Sequence, residues 1–429
     1  MEDGVERERL EEPLDHLKGL SPAVDGRRLG ELVEKRVSLF GGAFVPPVMV
    51  LKRSALDHNI ETMARYCRDN GVDLAPHGKT TMAPQRLARQ RAAGAWGITA
   101  ATAAHVAVYR EAGIRRIILA NELADPGAID WLLEQLAVDP EFDLLCYVDS
   151  VAGVGLLAEG LARRPIGRPF DVLLEMGYAN GRTGCRTVEQ ARGVGLAAAG
   201  VEGLRVVGLA GFEGLIGGDL SAETFAKVDA FLELMRSTAE QFGHEGLLAD
   251  RGGGVILSAG GSIHFDRVVA AFRSPLETAA VHSVIRSGCY VTHDSGHYER
   301  MSPFSRPGAD PRYSLRPALE AWGEVLSTPE HGLAIVSLGR RDVPVDLGMP
   351  VARRLRRRDA DKLENAAGLS FRSVNDQHGF VGVPEGMRVG VGDWLSFGIS
   401  HPCTAFDKWR LLPEVDDDYR VVDLVRTYF

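Results

Sequence analysis

The chain has 429 residues, 45% of them hydrophobic and 25% charged, with a formal net charge of −9. That length can bury a large core, as two domains or as one large barrel with an addition, and the acidic balance argues against nucleic acid as the main partner. No apolar run reaches the roughly 18 residues of a membrane span, and five scattered cysteines (Cys67, Cys146, Cys185, Cys289 and Cys403) without a CxxC pair suggest reduced thiols in a cytoplasmic protein rather than a disulfide framework.

The first stretch, MEDGVERERLEEPLDHL, is acidic and lacks the basic and apolar regions of a signal peptide. It reads as a solvated arm with room for a helix. An early strand, PPVMVLK, precedes the first helix, SALDHNIETMARYCRDNG. From residue 72 onward eight apolar runs rich in Val, Ile and Leu alternate with helical patterns. The runs begin at VDLAP and WGITA and continue through RRIILAN, FDLLCYVD, FDVLLEM, LRVVGLA, GVILSAG and VHSVIRSG. Between them lie helices such as PQRLARQRAAG, AAHVAVYREAG, GAIDWLLEQLA and AETFAKVDAFLELMRSTAEQFG, two of them ending at a candidate C-cap glycine, Gly113 and Gly243. Near-continuous apolar strands mean a buried parallel sheet, and eight βα units predict a closed (β/α)8 barrel of the TIM type in an α/β protein. Residues after about 300 change character. The short segments EAWGEVLS, LAIVSLG, FVGV, WLSFG and YRVVDLVRTYF predict a second, mostly β domain, in which the early strand would pair. The expected division is an arm over 1–45, that strand over 46–53, the barrel over 54–295 and the β domain over 296–429. The basic segment RRLRRRDADK (353–362) reads as a solvated loop, with substrate steering as the lesser alternative.

Three motifs bear on chemistry. In VDLAPHGKTTMAP (72–84) the Gly-Lys-Thr resembles the end of a P-loop. The upstream glycine is replaced by Asp73, however, and the helix start signalled by Pro84 comes too late for its amides to meet a phosphate beside Lys79. Lys79 instead falls at the C-terminal end of the first barrel strand, the face that carries chemistry. A lysine there, in a partly apolar mouth, can form a Schiff base with an aldehyde cofactor. In RGGGVILSAGGSIHFD (251–266) the small residues Ser258, Gly260, Gly261 and Ser262 follow the seventh strand, where free backbone N–H groups would receive a phosphate. In GISHPCTAFDKW (398–409), His401 and Cys403 are two apart and share a face if the piece is extended. Imidazole and thiolate suit Zn2+, and two such ligands suit an open site completed by water or substrate, while a buried thiol beside a satisfied histidine is the plain alternative.

Taken in order, PHGKT, ILANEL, EMGYANGRTGCR, GLAGFEGLIGG, SAGGS and IRSGCYVTHDSG resemble the fold-type III pyridoxal-phosphate enzymes, which join an alanine-racemase-type barrel to a β domain. The pattern is most similar to the metal-dependent D-serine dehydratase and D-threonine aldolase group, over residues 45–410. The resemblance implies that Lys79 carries pyridoxal 5'-phosphate, with His77 beside it and Arg182 at the pyridoxal 3-hydroxyl. Arg286 and Tyr290 would lie near the ring nitrogen and the phosphate end, and Phe212 stands where relatives have an aromatic residue near the cofactor, although core packing accounts for it equally well. The resemblance also implies Zn2+ on His401 and Cys403 in the β domain. The aldolase branch tends to His-x-Asp and a harder ion, so Cys403 leans toward dehydratase. NDQHGF (375–380) is similar to a Glu-His-Gly segment of the family, with Gln377 in place of the acid, which puts a supporting role for His378 in doubt.

The implied reaction is loss of water and ammonia from a D-3-hydroxy amino acid, D-serine to pyruvate being the simplest case. Lys79, its pKa lowered by burial and neighbouring cations, would be the base. The alternatives are D-threonine aldolase chemistry on the same machinery and, from another class, a non-catalytic carrier of pyridoxal phosphate or a binder of phosphorylated metabolites. The resemblance further implies a homodimer, each active site lying between one chain's barrel and the other chain's β domain.

Overall fold

A computed structural model of the chain describes residues 11–13, 16–360 and 362–429. The acidic stretch at 1–10 lies outside the described residues. The chain divides into two compact units, one formed by Ala64–Lys79 with Arg89–Gly288, the other by the described residues up to Met63 with Thr80–Ala88 and Cys289–Phe429. The first strand, β1 (Val48–Lys52), belongs to the second of these.

The first unit holds eight parallel strands: β2 (Asp73–Leu74), β3 (Ile98–Ala100), β4 (Arg116–Glu122), β5 (Asp143–Val148), β6 (Phe170–Met176), β7 (Leu204–Gly211), β8 (Val255–Ala259) and β9 (Val281–Ile285). They pair in the order β2-β9-β8-β7-β6-β5-β4-β3. The ends of that order meet through a parallel bridge between His77 and Thr99, with Trp96 donating its N–H to Leu74 at 2.8 Å and Thr99 to Pro76 at 2.9 Å. These are the eight runs the sequence marks as strands. They are mostly apolar because both faces are largely covered. All seven residues of β6 are buried, and Ala75, Ile118, Leu145, Tyr147, Leu173, Val207, Ile256 and Val284 pack together inside.

The intervening helices start where capping chemistry allows. Thr102, Asp125, Ser150, Thr187 and Ser221 each accept a backbone N–H from the first turn of the helix that follows. Gly113 follows the helix Ala103–Glu111 at φ +77°, as a left-handed helix terminator should. Gly243 does not end its helix, which runs Ala222–His244 and is followed by Gly246 at φ +69°. Gly243 is there for packing, since a Cβ on it would run into the side chain of Thr278.

The second unit is built on β10 (Leu319–Glu330), β11 (Leu333–Val336), β12 (Val351–Arg356), β13 (Leu363–Asn365), β14 (Ser370–Val374), β15 (Gly379–Gly382), β16 (Trp394–Gly398), β17 (Leu411–Val415) and β18 (Val421–Arg426). The main order is β13-β12-β16-β10-β1-β17-β18, with β1 antiparallel to β10 and parallel to β17. Leu20, Val24, Leu29, Leu39 and Phe44 pack with Val48, Trp322, Leu411 and Leu424 in one core. The basic segment is not the loop the charge run suggests. Its first part is β12, paired with β13 and β16, with Ala352 and Leu355 facing the interior. Its arginines are engaged on the sheet, Arg356 over the Phe40 ring and Arg357 with Glu364 and Asp393. Among the described residues no helix is long and apolar enough to cross a membrane.

A buried ion cluster ties the helix Pro84–Ala92 to this sheet. Arg86, 2% exposed, meets Glu414 on β17 and, at 2.7 Å, Asp423 on β18; Glu414 also pairs with Arg53. Removing one member of a buried ionic group strands the others. Arg86→Met is therefore expected to lower unfolding free energy by about 3–5 kcal/mol, read by chemical denaturation; a change below about 1 kcal/mol, the usual value of an exposed pair, contradicts this.

Candidate functional site

In the first unit the polar residues gather at the C-terminal ends of the parallel strands, where barrels of this kind carry their chemistry. Lys79 lies in the short 3-10 turn Gly78–Thr80 after β2. Gly78 is required there, because a Cβ would collide with the hydroxyl of Tyr109. Lys79 itself is exposed, so the structure does not supply the burial expected to act on it. His77 is different. Burial first, and then the charges of Lys79, Arg286 and Arg182 with His105, hold its imidazole well below the usual histidine range, so it is neutral. Its Nδ1 is buried without a protein partner. His105, which sequence reasoning missed, is likewise pushed down by burial and by Lys79.

Arg286, 4% exposed, is the best-anchored cation of the group. It donates to the Ser258 hydroxyl and to the Gly211 carbonyl, each at 2.6 Å, and lies 5.8 Å from the centroid of the Tyr147 ring. Ser258 is fully buried and donates in turn to the Val284 carbonyl at 2.9 Å, so it braces Arg286 instead of facing a phosphate. The expected free amides of the next residues are also taken. Gly260 and Gly261 donate to the carboxylate of Glu213 at 3.1 and 2.7 Å. The loop is an anion-binding nest, as its small residues imply, but its anion is a buried side chain of the same unit. Ser262 is half-buried in the turn that follows. Arg182 is exposed, 4.8 Å from the Phe212 ring centroid, and Phe212 is half-buried, at the mouth and not in the core. Tyr290 lies in the 3-10 turn Cys289–Val291 of the other unit and is 1% exposed, so it is not grouped with Arg286 within one unit.

Sequence reasoning also missed three acids. Glu122 closes β4, Asp149 follows β5 and Glu175 lies in β6, and one oxygen of each lies within 4.8 Å of the others. Burial, then contact with Glu175, raises the pKa of Glu122, so the pair retains a proton where isolated carboxylates have lost theirs. The signal was present in ILANEL, CYVD and FDVLLEM, each an apolar run closed by an acid of inward-facing parity.

The second unit holds the soft-donor cluster. His401 is extended, but Pro402–Thr404 is a 3-10 turn, so the two ligand candidates meet across a turn and not along a strand. His401 Nδ1 lies 2.5 Å from Asp346 Oδ2, which leaves Nε2 as the nitrogen available to a ligand. Cys403 Sγ lies 3.4 Å from Cys289 Sγ and 3.5 Å from Thr80 Oγ1. Contact with Cys403, reinforced by Asp346 against burial, lifts the His401 pKa to about 9. Contacts with Cys289, His401 and Thr80 hold the Cys403 pKa well below the usual thiol value. The two side chains are thus an imidazolium–thiolate pair, the donor chemistry that zinc displaces protons to use. His378 is exposed in the turn between β14 and β15, and Asp346, in VPVDLGMP, is the acid that supports His401 instead. No short-range motif marks Asp346, because it lies 55 residues upstream.

Both candidate groups fit. A cationic mouth with buried, partnerless polar atoms on His77, Arg286 and Tyr147 suits a phosphorylated, anionic aromatic cofactor, and the His401–Cys403 pair suits a borderline-soft divalent ion.

Comparison with known proteins places this geometry. The family described as "Alanine racemase, N-terminal domain" matches residues 51–268, just over half of the chain, and that described as "Putative serine dehydratase domain" matches residues 318–415. D-threonine aldolase of Arthrobacter sp is 25% identical over 346 residues, 80% of this chain and 81% of that protein. Among solved structures, D-threonine aldolase from Filomicrobium marinum superposes with a TM-score of 0.73 at 22% identity, covering 90% of this chain and 95% of that one. D-threo-3-hydroxyaspartate dehydratase from Delftia sp. HT23 superposes with a TM-score of 0.70 at 22% identity, covering 90% and 97%; an enzyme of the same name is also solved as a cysteine-to-alanine mutant in the metal-free form.

Proposed function

Because the chain belongs to the alanine racemase N-terminal domain family and carries a serine dehydratase domain after it, we propose that it is a pyridoxal-phosphate-dependent lyase that removes water from D-3-hydroxy amino acids with the help of a divalent metal, D-serine being the simplest substrate. The observation that carries this reading is the His401–Cys403 pair braced by Asp346, a thiolate-containing donor set suited to zinc. Bound pyridoxal phosphate supplies an electron sink at Cα, and the metal ion a Lewis acid for the β-hydroxyl.

The chain's own groups do the rest. Lys79 would hold the cofactor, and its Nζ would be the base that takes the Cα proton. Arg182, beside Phe212, would balance the cofactor's phenolate charge. His77 stays neutral among cations, so it can hydrogen-bond the cofactor without adding charge. Arg286, fixed by Ser258 and Gly211, keeps the mouth positive. His401 and Cys403 would hold the metal, with Asp346 fixing the imidazole so that Nε2 is presented. Asp346→Asn is expected to weaken zinc binding about 10–100-fold in competition with a chromophoric chelator; unchanged affinity contradicts that role.

A second reading is retro-aldol cleavage of the same substrates, favoured by the aldolase relative that spans 80% of this chain. A panel of D-serine, D-threonine and D-threo-3-hydroxyaspartate, with and without zinc, separates the two. A 2-oxo acid with ammonia supports the dehydratase, and glycine with an aldehyde overturns it in favour of the aldolase. A homodimer in a reducing compartment is part of this proposal. No disulfide joins the five cysteines, and sedimentation tests the oligomeric state.

A further inference from the structure

Catalytic zinc centres use three protein ligands and leave the fourth position open. The His401–Cys403 pair is one short. The donor nearest to Cys403 is another thiol, Cys289 Sγ at 3.4 Å, contributed by the 3-10 turn Cys289–Val291. Two thiolates on one tetrahedral zinc, each at about 2.3 Å, stand about 3.8 Å apart, whereas a disulfide requires about 2.05 Å. The observed spacing is therefore close to that of two ligands and well outside that of a bond. Both thiols are half-buried, open enough to admit an ion. Two of the three candidate ligands sit beside a fixed point of the same unit. Thr80 Oγ1 touches Cys403, and Asp346 turns the His401 ring.

We propose that Cys289 is a third ligand of this metal centre, making it a Cys2His site with one open position. The proposal rests on the reading that the centre binds metal, and it goes beyond that reading by naming a ligand 114 residues upstream of Cys403. The groups of three donors already within 4.8 Å of one another lie elsewhere among the described residues, so loading draws the His401 ring and Cys289 together by side-chain rotation. On binding, Cys289 gives up its thiol proton and the His401–Cys403 pair the proton held on the imidazole, both to solvent, and no electron is transferred. The second thiolate makes the site selective. It favours zinc over magnesium or manganese, and the single remaining position suits one substrate oxygen.

The test is zinc K-edge X-ray absorption on the full-length protein, with cobalt substitution of the wild type, Cys289→Ser and Cys403→Ser. The expected result is two sulfur ligands per zinc in the wild type. Thiolate-to-cobalt charge-transfer intensity should fall by about half in each single variant, and Cys289→Ser should bind zinc more than about tenfold more weakly. One sulfur per zinc in the wild type, with cobalt spectrum and affinity unchanged in Cys289→Ser but altered in Cys403→Ser, overturns the Cys289 assignment and leaves the metal reading standing. No stoichiometric metal in the wild type overturns both. The wild-type sulfur count needs no variant, so it decides the question even if a substituted chain fails to fold.

Discussion

Replacing Lys79 by alanine is expected to abolish covalent loading with pyridoxal phosphate and to lower turnover by at least about three orders of magnitude, since under the proposed function one group would be lost both as anchor and as base. The geometry supports so large an effect. Lys79 follows β2 on the strand-end face, close to His77, whose imidazole is held neutral by burial and by the charges of Lys79, Arg286 and Arg182. Exposure makes the experiment clean, because an exposed side chain contributes little to folding, within about 0.5 kcal/mol. The thermal transition should be unchanged while the visible absorbance of the loaded protein disappears. Activity surviving with that absorbance intact contradicts the assignment.

The second large effect belongs to the soft-donor cluster. His401→Ala, or removal of metal by a chelator, is expected to reduce water elimination by about two to three orders of magnitude, the several kcal/mol that a Lewis acid contributes to a poor leaving group. Covalent loading at Lys79 should persist. Cys289 first, and then His401, hold the Cys403 thiol below its usual range, so the histidine variant loses one of these contacts as well as a ligand, and zinc added back should not restore activity. Full rescue of His401→Ala by zinc, or turnover indifferent to the chelator, contradicts a metal at this pair.

The barrel was legible because its strands are mostly buried and read as largely apolar runs, and because Ser, Thr or Asp caps punctuate the helices. The β unit was half legible. β12 hides in a run of arginines, since a strand needs only Ala352 and Leu355 on its inner face and leaves the rest to charge. Gly243 looked like a helix terminator because local sequence cannot reveal that Thr278 packs against it. The same limit governs the sites. Lys79, His401 and Cys403 lie in short local motifs that become candidates through the family resemblance. Asp346, Cys289 and Glu213 reach their partners from distant segments, and pairwise proximity is a property of the fold. Gly260 and Gly261 read from sequence as amides for a phosphate, whereas in the structure they donate to Glu213, 47 residues upstream of Gly260.

The central claim is that one lysine tethers the cofactor. Borohydride reduction of the protein loaded with pyridoxal phosphate, followed by peptide mapping, tests it most directly. The account predicts one stable pyridoxyl adduct per chain, on Lys79. An adduct on any other residue, or none, contradicts it.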